Sequence, residues 1–76
     1  MTYQRTSLLK KAADMTGWPA SILADITGLG KSTVTAYMAG RLEEHLDGFQ
    51  LTALLNALRL YRDQLDMGIS EIEMLT

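Results

Sequence analysis

The segment 20–41, ASILADITGLGKSTVTAYMAGR, constrains the fold of this chain more than any other part of it. Its apolar side chains recur at helical spacing on both sides of Gly28, which predicts two short helices joined by a tight turn. Gly28 takes a positive φ at low cost, and Ala24 is small enough to lie where the two helices cross. The side chains that we expect to face inward are Leu23, Ile26, Leu29, Val34 and Tyr37.

A mainly polar face remains on the second of these helices once the apolar side chains point inward. Its members are Lys31, Ser32, Thr33, Thr35 and Ala36. Threonine is a poor helix former, so helix stability alone does not favour two threonines there. Hydroxyl and methyl groups suit phosphates, base edges and the thymine methyl group, which makes all five residues candidate contacts to DNA bases. An ordinary solvated helix face is the alternative interpretation.

The two helices resemble the helix-turn-helix of the lambda repressor and Cro family, which are small phage- or plasmid-type transcriptional regulators. The residues that carry the resemblance are Leu23, Ala24, Asp25, Gly28, Gly30, Lys31, Ser32, Val34 and Gly40. The resemblance covers about a third of the chain. The chain departs from the family at Pro19 and Ala20, where members usually carry a polar residue that hydrogen-bonds a phosphate.

The resemblance implies a compact all-α domain of four or five helices that covers residues 1–76. It implies that the second motif helix enters the major groove of double-stranded DNA while the first lies across the backbone. The function expected on this basis is sequence-specific binding of a palindromic operator by a homodimer, with repression of transcription as the default. The alternative is a protein-interaction module, such as an antitoxin or an anti-repressor, whose acidic half binds a basic partner.

Charge is distributed unevenly along the chain, although the net charge is only −2. Residues 1–41 carry a net charge of +3, and residues 42–76 carry −5. A molecule polarised in this way can present its positive side to phosphates. The candidate phosphate contacts are Arg5, Lys10, Lys11, Lys31 and Arg41. For Arg5, Lys10 and Lys11, a solvated helix face is an equally good interpretation.

Local signals predict the remaining helices. The first is expected from about Thr6 to Thr16 with Gly17 after it, and Trp18-Pro19 is expected to start the second. Asp47 and Gln50 have the spacing of a capping box, which predicts a helix from there to about Met67 with Gly68 as its stop. Ser70 and Glu73 repeat that spacing, so a last short helix is expected over residues 69–75.

The C-terminal third is more apolar than so small a chain is expected to bury, which predicts a dimerisation region at about residues 51–76. The candidate interface residues are Leu60, Ile69, Ile72 and Leu75. The alternative is that these side chains fold back onto the first helix.

Other classes of function have little support in the sequence. The string GLGKST at 28–33 has Asp25 where a phosphate-binding loop requires glycine, and it follows helical spacing instead of a strand. With no cysteine and a single histidine, His45, the chain offers no nucleophile–base pair, so we expect no enzyme, no metal site, no cofactor and no small-molecule ligand. No apolar run approaches the roughly 18–20 residues of a membrane span and no signal peptide is evident, so we expect a cytoplasmic protein without a membrane partner.

Overall fold

The computed structural model describes residues 7–75, and within that range every regular element is an α-helix. The four helices in chain order are α1 (Leu8–Thr16), α2 (Ala20–Thr27), α3 (Lys31–Ala39) and α4 (Gly48–Leu75). The all-α prediction is confirmed for these residues. Helix α2 packs against both α3 and α4, and α1 packs against α2 and α3, so α2 is the element that the others share.

The core is small and draws on all four helices. Leu9, Leu23 and Val34, one from each of the first three helices, are completely buried. The other buried apolar residues are Ala12, Ala24 and Leu54. The small side chains of the two alanines let the helix axes approach, since interaxial distance depends on the side chains at the contact. Each short helix is therefore held in place by very few side chains.

Helices α1 and α2 end in the same pentapeptide pattern, Ala-Asp-X-Thr-Gly, at 13–17 and 24–28. The hydroxyl of Thr16 donates to the carbonyl of Ala12 at 2.7 Å, and the hydroxyl of Thr27 donates to the carbonyl of Leu23 at 2.8 Å. Each hydroxyl oxygen also accepts the N–H two residues later, from Trp18 at 3.1 Å and from Leu29 at 3.4 Å. The glycines Gly17 and Gly28 have φ of +78° and +75°, and each N–H bonds to a helix carbonyl. This repeat makes the chain turn in the same way after each of the two helices, and its spacing of 11 residues is visible in the sequence.

Helix α3 also ends at a left-handed glycine, without the threonine, and α4 begins with the predicted capping box. Gly40 has φ +75°, and the N–H of Arg41 bonds to the carbonyl of Ala36 at 2.9 Å. At the start of α4, the N–H of Gln50 bonds to Asp47 Oδ1 at 2.8 Å and the N–H of Asp47 bonds to Gln50 Oε1 at 3.0 Å. Two unpaired donors at the helix start are satisfied reciprocally.

Two predictions about helix ends are wrong. Helix α4 does not stop before Gly68 but continues as one element of 28 residues, about 42 Å long, so the separate helix over 69–75 does not exist and Ser70 caps nothing. A glycine inside a helix costs only about 1 kcal/mol relative to alanine, which is too little by itself to end a helix. At α2, Pro19 is the N-cap and the helix begins at Ala20. The predicted start of α1 at Thr6 lies outside the described residues.

A carboxylate from the loop between α3 and α4 closes the start of α1. Glu44 Oε1 accepts the N–H of Leu8 at 2.8 Å, and its Oε2 accepts the N–H of Leu9 at 3.3 Å and the hydroxyl of Ser7. The Ser7 hydroxyl oxygen in turn accepts the N–H of Lys10 at 3.1 Å. A negative charge at a helix N-terminus is also favoured by the helix dipole. Glu44 therefore ties the 40–47 loop to α1.

We expect Glu44→Ala to destabilise the protein by about 1–3 kcal/mol, because three donors lose a charged acceptor. Glu43→Ala is the matched control, since Glu43 is the exposed neighbour in the same loop and its removal should change stability by less than about 0.5 kcal/mol. Urea unfolding followed by circular dichroism measures both. Equal midpoints for the two variants would show that the contact does not stabilise the fold.

At Gly28 we expect valine to destabilise the fold more than asparagine, by roughly 1–2 kcal/mol. A Cβ at Gly28 meets none of the described atoms within 4 Å, so the penalty comes from its φ of +75° and not from crowding. Asparagine tolerates this conformation and a β-branched residue does not. Thermal unfolding of the two variants tests the turn, with the same substitutions at Gly48, whose φ is not positive, as the control.

Candidate nucleic-acid interface

Helix α3 presents one continuous exposed face. Lys31, Ser32, Thr35 and Ala39 are exposed, and the half-buried Ala36 lies beside them. At about 100° per residue these five positions fall within an arc of roughly 140°. Val34 is completely buried on the other side of the helix and holds α3 against the core. The exposed face thus lies on a helix whose opposite side packs into the core.

The structure sets Thr33 apart from this face. Thr33 is half-buried, and its Oγ1 lies 3.8 Å from the point where a Cβ on Gly30 would be. It also lies about 160° around the helix from Thr35. The expectation that both threonines point to the same side of α3 is therefore wrong. Ala39 belongs to the face and was missed, although its spacing of four residues from Thr35 could have indicated it.

The hydroxyl of Thr35 is already in use. Its Oγ1 donates to the carbonyl of Lys31 at 2.9 Å, one helical turn earlier. This bond between a threonine and the carbonyl four residues before it is common in helices. The hydroxyl oxygen can still accept, but its proton is occupied, and the methyl group is what Thr35 offers most freely to a partner.

An open groove of about 330 Å³ runs beside the exposed face of α3. Its lining residues are Lys10, Asp14, Ala20, Thr35, Met38 and Ala39. The groove brings Lys10 of α1 and the first residue of α2 next to the candidate base contacts of α3. It also brings the carboxylate of Asp14 there, which opposes an anionic partner.

The other candidate phosphate contacts lie at different places around this face. Lys31 is the first residue of α3, and the exposed Arg41 follows its last turn. Lys11 is exposed about 100° around α1 from Lys10 and does not line the groove. Arg5 lies outside the described residues. Lys10, Lys31 and Arg41 are thus the cations that the described structure places along α3.

At the start of α2, neither Pro19 nor Ala20 carries a polar side chain. Ala20 is the first helical residue and lines the groove, and its N-cap, Pro19, has no side-chain acceptor to offer. The N–H groups of Ile22 and Leu23 bond to the carbonyl of Pro19, at 3.1 and 3.3 Å. The first amides of a helix favour an anion through their donors and the helix dipole.

The four candidate dimer residues do not share one face of α4. Around α4 they are spaced about 60° apart in the order Leu60, Leu75, Ile72 and Ile69, so Leu60 and Ile69 lie about 180° from each other. All four are more than half exposed, so the alternative in which they fold back onto α1 does not occur. Leu65 is also half exposed and shares the face of Ile72.

This face of α4 continues a line of residues that begins in the core. The residues at positions 54, 58, 61, 65, 68, 72 and 75 lie along one side of α4, at spacings that alternate between four and three. We call this line of residues the α4 seam. Its first members contact the protein's own core: Leu54 is buried, and the ring of Tyr61 meets Trp18 edge-to-face at 5.6 Å. Its last members, from Leu65 onward, extend beyond the core. The alternating spacing is visible in the sequence and could have indicated the seam.

Comparisons with known proteins assign no relative to this chain. No family model, no curated protein and no solved structure matches it. Among the helices within residues 7–75, none is both long enough and apolar enough to cross a membrane.

Proposed function

We propose that this chain is a sequence-specific double-stranded DNA-binding protein that represses transcription as a homodimer on a palindromic operator. The observation that carries the proposal is the exposed face of α3, which is rigidly backed by Val34 and accompanied by Lys10, Lys31 and Arg41. In this proposal, α2 and α3 form a helix-turn-helix with α3 in the major groove.

The size of the side chains on α3 supports this placement. The major groove of B-DNA is about 12 Å wide, and a helix with its side chains measures about 10–12 Å across. Ser32, Ala36 and Ala39 are small, so α3 can approach the base edges closely. Helix α2 would then lie across the DNA backbone, with the backbone N–H groups of its first turn, beginning at Ala20, directed towards a phosphate.

The electrostatics predict modest affinity for any single site. Lys10, Lys31 and Arg41 supply few phosphate contacts, and Asp14 in the groove reduces their effect. Each phosphate neutralised contributes about 0.9 to the slope of log K against log salt, so few contacts give weak non-specific binding. Stable occupancy of an operator then requires contacts to its bases and a second subunit.

The α4 seam supports a second copy of this chain as that subunit. An alternation of four and three residues is the repeat by which helices pack side by side in coiled coils. The seam is used by the protein's own core at Leu54 and Tyr61, and the same repeat continues into Leu65, Ile72 and Leu75, which are exposed. A second copy presents the same repeat, so a two-fold axis makes the two faces complementary.

Selection from a random duplex DNA pool, followed by titration of the selected site in a salt series, tests the proposal. We expect an inverted repeat whose half-sites are about one helical turn, 34–36 Å, apart. The log–log salt slope should be shallow, since few cations contact phosphates. If no sequence is enriched and no duplex is bound at low salt, the proposal is wrong and the protein-interaction module takes its place.

Arg41→Ala should weaken binding to all duplexes similarly and make the salt slope shallower by about one unit, because Arg41 holds a phosphate and not a base. Arg62→Ala is the matched control, since Arg62 is an exposed arginine on α4 that pairs with Asp63 at 3.6 Å. Titration of cognate and scrambled duplexes across the salt series measures both variants. An unchanged slope in Arg41→Ala would remove Arg41 from the interface.

Ile72→Glu should convert the dimer to monomers and weaken binding to the inverted repeat far more than to a single half-site. Leu60→Glu is the matched control because both side chains are 64% exposed but only Ile72 lies on the α4 seam. Sedimentation at several protein concentrations measures the state of each variant. A monomeric parent chain well above micromolar concentration, or a Leu60→Glu variant as monomeric as Ile72→Glu, would exclude the seam as the interface.

A further inference from the structure

We propose that α3 recognises its DNA mainly through the methyl groups of thymine, so that each half-site contains thymines in the major groove opposite Thr35, Ala36 and Ala39. This inference rests on the proposed function and specifies the base chemistry that the same helix face takes. It follows from the methyl groups that the exposed face of α3 presents and from the hydrogen-bonding side chains that this face lacks.

Beyond its first turn, the exposed face of α3 lacks the side chains that read purines by paired hydrogen bonds. Arginine or lysine is the usual partner of guanine, and asparagine or glutamine is the usual partner of adenine. In the α3 sequence KSTVTAYMA, Lys31 is the one residue of these types. Lys31 and Ser32 at its start are the polar side chains of the face apart from Thr35, and both lie within the first turn. The remainder of the face needs another means of recognition.

Three methyl groups occupy that remainder. Ala36 and Ala39 offer only methyl groups, and Thr35 offers one while its hydroxyl donates to the carbonyl of Lys31 at 2.9 Å. Alanine and threonine methyl groups are suited to the C5-methyl group of thymine, the one apolar feature in the major-groove pattern of bases.

The methyl groups of Thr35, Ala36 and Ala39 form a patch whose dimensions fit a short run of base pairs. Side chains four residues apart on a helix, such as Thr35 and Ala39, have Cβ atoms about 5–6 Å apart. Successive bases on one strand rise by about 3.4 Å, so the patch spans two to three base pairs. The neighbouring groove continues the apolar surface through Met38, while Lys10 at its edge can reach the backbone.

Replacing thymine by uracil in the selected site tests this inference, because uracil lacks only the C5-methyl group and pairs with adenine in the same way. Loss of one buried methyl group should weaken binding about fourfold per contacted base. Binding that is sequence-specific but equal for thymine and uracil sites would overturn the inference and leave the proposed function standing. Absence of binding to any duplex would overturn both.

Substitutions at Thr35 separate a direct methyl contact from a change in DNA shape. Thr35→Ser removes the methyl group and keeps the hydroxyl, so it should reduce the discrimination between thymine and uracil by about fourfold. Thr35→Val keeps a methyl group and removes the hydroxyl, so it should retain the discrimination. Thr52→Ser, at an exposed threonine of α4, is the matched control. If Thr35→Ser keeps the full discrimination and Thr35→Val loses it, the hydroxyl and not the methyl group makes the contact.

Discussion

The packing of α2 against both α3 and α4 is the constraint on which the rest of the structure depends. Leu23 is completely buried on this eight-residue helix, and Ala24 is nearly so. Since only six apolar side chains are buried among residues 7–75, no helix can be displaced without losing a large share of the hydrophobic stabilisation. Tight connections are required as well, and Gly17 and Gly28 provide them through the same threonine–glycine motif.

A core of this size supports only the first half of α4. Residues 62–75 add about 21 Å of helix beyond Tyr61, and a helix of that length is marginal in water by itself. Its exposed leucine and isoleucine side chains therefore remain without cover in a single chain. A second copy packed along the α4 seam would bury them and stabilise the helix at the same time, so that association and helix formation support each other.

The features that could be predicted from the sequence are those set by local chemistry. The turn at Gly28, the glycine Gly17 after α1 and the Asp47–Gln50 capping box each depend on a few neighbouring residues. The position of Thr33 is harder to predict, because it depends on how α3 is rotated against the core. The contact of Glu44 with Leu8 joins residues 36 positions apart, and no local pattern indicates it. Helix α4 continues through Gly68 because helix formation is cooperative, and one glycine opposes it only weakly.

In the proposed function, α2 also determines how base recognition and dimerisation combine. The helix α3 that reads the bases and the helix α4 that meets the second copy both pack on α2, so the two surfaces are held in a fixed relation within each chain. The separation of the two α3 helices in a dimer is then a geometric consequence of the α4 seam, and it determines the spacing of the half-sites. A change in the seam should alter the occupancy of the paired site, whereas a change at Thr35 should alter which bases are preferred within each half-site.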